Sequence, residues 1–388
     1  MSAGARIVAS FAVGCFVCAF LATGLALLVP WKCNVGRDWH SKTTAPQAVI
    51  APRPTPAPKP VERSESRPRR MAVLLCKFRD KPAETRRPGF YEAYFARLGT
   101  GGLADYWRDV TFGSIDLSAS EVFGWYTMAH DSDEVKKLVF PGGRSTLVQW
   151  GKDAAVAAGV DLSRFDWVLV VQNWGVDHGA AVGGVVIVDQ NINLLESTFI
   201  SHEMGHLFGL PHSFGEQGVS PCISASGEYC DAWDIMSAMN VFSYAGNFEG
   251  WACNFGPGLN AFAAKALGAL PPERVRKIGE VGVSERVELA PLNQPLQQGA
   301  VYSIEIPPYT IEYRHKAGWD QGLPSDAVLV HADKNGRSYL ERTPANAGLH
   351  AGDRYTTADE KVEIEVQSID PVAQRAVVRV KVIESSAP

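Results

Sequence analysis

Residues Ser201 to Ser213, SHEMGHLFGLPHS, constrain the fold of this chain more than any other stretch. They hold His202, Glu203, His206, Gly209 and His212 in the pattern H-E-x-x-H-x-x-G-x-x-H. Residues four apart on an α-helix lie one turn above each other, so a helix here presents His202 and His206 from one face. Two neutral imidazoles at that separation can share a Zn²⁺ ion, with Zn–N bonds of roughly 2.0–2.1 Å. Gly209 has no Cβ, which lets the chain leave the helix through a left-handed turn and bring His212 back as a third ligand. The fourth tetrahedral position is left for water, and Glu203, beside the first ligand, can reach that water as a general base.

The amino terminus sets the compartment. From Ile7 to Val29 there is no charged residue, with Arg6 just before and Lys32 just after. That length can span a bilayer, which needs about 20 apolar residues. Small residues around Ala22 to Ala26 also offer a signal-peptidase spacing. Residues 1–30 are therefore expected to be a signal anchor or a signal peptide, and the bulk of the chain extracytoplasmic, either single-pass membrane-anchored or secreted. Cys15 lies inside this segment, behind a poor match to a lipobox. Residues 31–70 read as a Pro-rich linker, in which Pro46, Pro52, Pro54, Pro56, Pro58, Pro60 and Pro68 favour polyproline II. Arg69-Arg70 reads as a solvated basic pair rather than a processing site. A net charge of −5, with no cluster of basic and aromatic residues, gives no case for a nucleic-acid partner. Seven cysteines are too few for a disulfide-built scaffold but allow a bridge in an oxidising compartment. Cys222 and Cys230 close a short segment and are the expected pair, with Cys253 an alternative partner for either.

From Met71 to residue 275 helices and strands alternate. MAVLLCKF, WVLVVQN and VVIVD are apolar runs suited to strands, and Ser145–Ala158 and Asn260–Leu270 read as helices. The metal helix is expected to begin near Glu196-Ser197. Such an order describes an α+β domain with a twisted mixed sheet and one active-site helix. From 276 to 388 short alternating segments separated by Pro, Gly, Asn and Asp predict a C-terminal β-sandwich domain. Within it Asp320, His331 and Asp333 read as hydrogen-bonding or surface groups in preference to a second metal site.

The extended histidine pattern, with Met236 downstream in DIMSAM, resembles the metzincin clan, whose Met-turn sets a methionine beneath the metal. Met236 matches that turn better than Met239. Further blocks, LADYWRDVTFG, WDIMS, GPGLNAFAAKALGAL and EYRHKAGWDQGLP, are similar to gametolysin and immune-inhibitor-A type metallopeptidases. Together they span most of the chain from Met71 onward. The resemblance implies a secreted or surface zinc metalloendopeptidase acting on protein or peptide substrates. His202, His206 and His212 would be its metal ligands and Glu203 its catalytic base. It departs from the family in having no long folded propeptide before the catalytic domain. Cys33 or Cys76 could in principle block the zinc as a thiolate, but the surrounding residues fit no such switch.

Two further expectations concern substrate. The strand Val185–Asp189 is the candidate edge for an added substrate strand, and Tyr244 a candidate oxyanion donor. Alternative readings are a surface adhesion or carbohydrate-binding protein on a degenerate protease scaffold, and a hydrolase of cell-wall peptide crosslinks. The intact Glu203 argues against the first, because a scaffold needs the histidines but not the base.

Overall fold

A computed structural model describes residues 69–191, 194–219, 222 and 224–383. The apolar segment over 1–30 and nearly all of the linker, with Cys15 and Cys33, lie outside the described residues. Among the described residues no helix is long and apolar enough to cross a membrane.

The chain opens with β1 (Met71–Lys77), followed by α1 (Pro88–Phe95), α2 (Leu103–Val110), β2 (Glu121–Thr127), the short α3 (Ser132–Val135) and α4 (Gly143–Ala157). Next come β3 (Trp167–Gln172), β4 (Gly179–Ala181), β5 (Gly184–Val188), β6 (Leu194–Leu195) and α5 (Ser197–Leu207), the histidine-bearing helix. The first sheet has the order β2-β1-β3-β5-β4, parallel throughout except for the antiparallel β4. Alternate residues of a strand face opposite sides. Accordingly Met71, Val73 and Leu75 join the core beneath α1, α2 and α5, while Ala72, Leu74 and Cys76 pack toward α4. Both faces are covered, as parallel strands require.

Strand β5 is not the edge that its position before the metal helix suggested. It pairs with β3 on one side and β4 on the other. Val185, Val186 and Ile187 are all buried, as expected of a run enclosed on both faces. The edge is β4, folded back on β5 by a two-residue turn at Val182-Gly183, where Gly183 takes φ of +86°.

After α5 come β7 (Phe214–Gly215), β8 (Tyr244–Phe248), β9 (Trp251–Phe255) and α6 (Ala261–Ala266), whose start is capped by the Asn260 side chain. The remainder is β-rich: β10 (Val275–Lys277), β11 (Ser284–Leu289), β12 (Ser303–Ile306), β13 (Tyr309–Arg314), β14 (Ala327–Asp333), β15 (Ser338–Leu340), β16 (Arg354–Thr356), β17 (Val362–Asp370) and β18 (Arg375–Val382). One sheet has the order β10-β12-β13-β14-β15-β7 and another β11-β18-β17-β16. Ile304, Ile311 and Val330 of the first share a buried cluster with Val287, Ile364 and Val378 of the second. The chain is thus α+β, with several sheets and few helices. Strand β7 follows the histidine-bearing helix α5 and pairs with β15, so the two halves share a sheet. All of the described residues fall in one compact unit.

A buried ionic cluster joins the β-rich part to the segment around Met236. Arg314 donates to both Asp320 oxygens at 2.6 and 2.9 Å and to the Trp233 carbonyl at 2.7 Å. Asp320 also accepts from the Gly258 amide, and His331 Nε2 pairs with Asp231 at 3.0 Å. Glu312 accepts from the Ala261 amide at the start of α6. Asp320 and His331 are thus structural partners in this cluster, whereas Asp333 is exposed and accepts from the Gly336 amide.

The acids of this cluster outnumber its bases, which makes its stability depend on pH. Burial, helped by Asp231, pushes Asp234 up to about 7, and burial likewise raises Glu312. For His331 burial works downward, but the Asp231 hydrogen bond and the charge of Glu312 raise it overall. Each group holds its proton more tightly folded than unfolded, so stability is full below the unfolded pKa and is lost as pH rises through the folded one. With chelator present to remove metal linkage, raising the pH from about 6.5 to about 8 should therefore lower the urea midpoint of the parent relative to that of Asp234→Asn, a comparison in which the histidines that burial keeps neutral cancel. A midpoint difference that does not shift over that interval would contradict the assignment.

Candidate metal centre

Helix α5 is buried along most of its length by Phe199, Ile200 and Met204, which fixes the rotation that brings His202 and His206 to one side. It closes on a left-handed Gly209, φ +97°. The Gly209 amide bonds the His206 carbonyl and the Leu210 amide bonds the Gly205 carbonyl, the paired bonds of a Schellman cap. That turn aims the chain back so that His212 faces the helix.

The three imidazoles meet through Nε2. His206 Nε2 lies 3.1 Å from His202 Nε2 and 2.9 Å from His212 Nε2. Every Nδ1 is already engaged. His202 Nδ1 donates to the Ile235 carbonyl at 2.8 Å and His206 Nδ1 to the Leu210 carbonyl at 2.8 Å, while His212 Nδ1 faces Glu228 Oε1 at 2.7 Å. Those partners put the protons on Nδ1 and leave three Nε2 lone pairs pointing at one another. Burial holds His202 down to about 3 and His206 to about 4, so both are neutral near pH 7. Converging lone pairs repel unless a cation lies between them, and tetrahedral coordination at 2.0–2.1 Å would space such nitrogens about 3.3 Å apart. The donor set thus fits a metal ion, and His202, His206 and His212 are the residues that could hold one.

The turn at Asp234–Ser237 supports this set from below. The Ile235 carbonyl holds His202, the Met236 carbonyl accepts from the Ser213 amide beside His212, and the Ser213 hydroxyl donates to Asp234. Met236 is fully buried, whereas Met239 only flanks the core. A Cβ on Gly205 would strike the Met236 sulfur and crowd the Trp107 ring. Gly-to-Ala in a helix ordinarily stabilises by roughly 0.5–1 kcal/mol. Here overpacking should reverse the sign and cost about 1–3 kcal/mol. Urea unfolding of Gly205→Ala measures this, and a variant more stable than the parent would show that the methionine yields freely.

Glu203 is 3% exposed, and its Oε2 accepts from the Ala180 amide of β4 at 2.6 Å. Burial raises its pKa to about 7. Nearby, Arg144 grips Asp177 through two bonds of 2.9 and 3.0 Å, and His178 stacks on Phe199. A cavity of about 450 Å³ opens beside His206, between Leu162, Phe165, Trp167 and the β4–β5 turn.

The sequence-predicted residues His202, Glu203, His206, His212 and Met236 are brought together; Tyr244 is not. Its ring packs on Phe255, across the β8–β9 pairing. The tyrosine at the centre is Tyr229, whose hydroxyl lies 3.0 Å from His212 Nε2. Tyr229 and Glu228 escaped sequence reasoning. Their one sequence signal is a place just before Cys230, in the segment that the Cys222–Cys230 disulfide closes. Cys76 does not block the site, because it is buried in β1 on the face toward α4 and burial pushes its thiol up to about 12. Among known proteins, no family matches the chain and no curated protein matches it.

Proposed function

We propose that this chain is a zinc-dependent endopeptidase of metzincin type that hydrolyses peptide bonds of extracellular or cell-surface proteins. The observation that carries the reading is the convergence of three Nε2 lone pairs beside a buried carboxylate, Glu203, bonded to an edge strand. The parallel sheet with a single antiparallel edge strand, and the Met236 turn under the histidines, support the metzincin comparison. The cluster shared by the two C-terminal sheets supports the sandwich reading of that part. The Cys222–Cys230 disulfide and the apolar Ile7–Val29 segment support an extracytoplasmic location.

When bound, Zn²⁺ supplies the positive charge that acidifies water and polarises a peptide carbonyl. The chain's own groups do the rest. His202, His206 and His212 are held in the Nδ1-protonated tautomer by their oxygen partners, so no proton competes at Nε2. Glu203, raised by burial to about 7, is placed to take a proton from the attacking water and to give it to the leaving amine. Strand β4 is the edge of its sheet, with the Ala180 amide turned to Glu203, and an extended substrate docks beside it as an added strand. The cavity beside His206, which Lys152 and Asp166 line together with Phe165, Trp167 and Leu207, then receives a side chain of that substrate.

The test is cleavage of casein by the full chain in detergent, with and without chelator. Chelation should abolish cleavage, zinc should restore it, and His206→Ala should lose both metal and activity. Cleavage that survives chelation, or persists in His206→Ala, would exclude a zinc peptidase.

A further inference from the structure

We propose that Tyr229 and Glu228, carried on the segment closed by the Cys222–Cys230 disulfide, are working parts of the metal centre. Tyr229 is a fourth protein group facing the metal, and Glu228 is the residue that positions His212. This rests on the reading above only in taking the three histidines as a metal site.

His212 differs from the other two ligands in how it is held. The acceptors for His202 and His206 are backbone carbonyls of well-packed turns. His212 lies beyond the helix, and its Nδ1 partner is the Glu228 carboxylate at 2.7 Å, sixteen residues further along. A carboxylate behind an imidazole fixes its tautomer and raises its basicity, and losing such a partner typically costs 10–100-fold in metal affinity.

Tyr229 approaches the same ring from the metal side. With the His212 proton on Nδ1, Nε2 is an acceptor, so the phenol donates to the lone pair that a metal would use. A metal held at Nε2 would take the place of that hydrogen bond, with the Tyr229 oxygen beside it. Were the phenol to coordinate, the metal–oxygen bond would replace its O–H bond, and the proton would pass to solvent.

The segment is built to hold both side chains there. Tyr229 sits in the left-handed region at φ +58°, a conformation that non-glycine residues take only against a steric penalty. Cys230 follows it directly and is bonded to Cys222, and its amide bonds the Gly227 carbonyl. Glu228 bridges to Phe214, and the Gly215 amide also bonds the Gly227 carbonyl, tying the segment to β7 just past His212. Opening the disulfide removes the tether that keeps Glu228 and Tyr229 in register with His212.

The experiment loads the full chain, in detergent, with Cu²⁺ alone and separately measures Zn²⁺ affinity by competition with a chromogenic chelator. Parent protein should show a phenolate-to-copper charge-transfer band that Tyr229→Phe lacks. Glu228→Gln should bind zinc about 10–100-fold more weakly. The pair Cys222→Ser/Cys230→Ser should lose the band and bind zinc at least as weakly as Glu228→Gln. A band that persists in Tyr229→Phe, or is missing from copper-loaded parent, overturns the role of Tyr229. Parent-like zinc affinity in Glu228→Gln overturns that of Glu228. If the double cysteine variant does not fold, the two single variants still decide. Failure of the parent to bind either metal in a His206-dependent way would instead bring down the metal reading itself, which separates the two failures.

Discussion

Glu203→Gln should retain its metal and lose about 10²–10⁴-fold in kcat for peptide hydrolysis, the range that a positioned acid–base group supplies. The substitution is nearly isosteric, and the amide oxygen of Gln can still accept from the Ala180 amide, so β4 keeps its place. The histidine contacts at Ile235, Leu210 and Glu228 do not involve residue 203, which leaves the donor set intact. What disappears is a carboxylate that burial has lifted to about 7, close to the pH at which it must both take and return a proton. Metal content by atomic emission and kcat on a quenched peptide separate the two properties. Parent-like turnover in a metal-loaded Glu203→Gln would end the general-base assignment. Loss of the metal along with activity would mean that the carboxylate supports the ligands instead.

The convergence of the three histidines was legible in the sequence because everything that places them is local. Helical spacing sets His202 and His206, and one glycine turn sets His212. The residues behind them were not legible, because they arrive through contacts between distant segments. Glu228 and Tyr229 follow no periodic pattern and reach His212 only after the disulfide and the Phe214 bridge have shaped their segment. Strand β4 is Gly-Ala-Ala, too short and too small to show alternation, so the sequence offers the apolar run of β5 as a candidate edge and equally as an interior strand. That run carried its own warning, since continuous burial marks an inner strand. Only its place after Met236 makes Tyr244 a candidate, and the pairing of β8 with β9 sends its ring to Phe255. The two residues of β7 are likewise too few to read, and yet they tie the histidine segment to the C-terminal sheet.

Arg314→Met should destabilise the protein by about 3–5 kcal/mol, the usual result of removing one partner from a buried ion pair. Arg314 is fully buried on β13 and answers Asp320, Glu312 and the Trp233 carbonyl at once. Methionine fills similar space and supplies no donor, so two carboxylates and a carbonyl lose their counter-charge in a site that water does not reach. An exposed pair gives the contrast: Arg354 bonds Glu365 with its side chain largely in solvent, and Arg354→Met should barely move the transition. The effect should also reach the metal. Trp233 leads directly into the Asp234–Met236 turn, whose carbonyls hold His202 and Ser213. Loosening that turn should weaken zinc binding in Arg314→Met although no ligand has changed. Urea unfolding and competitive zinc titration of the two variants decide the matter. If Arg314→Met unfolds at the same urea concentration as Arg354→Met, the buried cluster does not clamp the β-rich part onto the metal centre. If it unfolds earlier but binds zinc as the parent does, the clamp stabilises the fold without reaching His202.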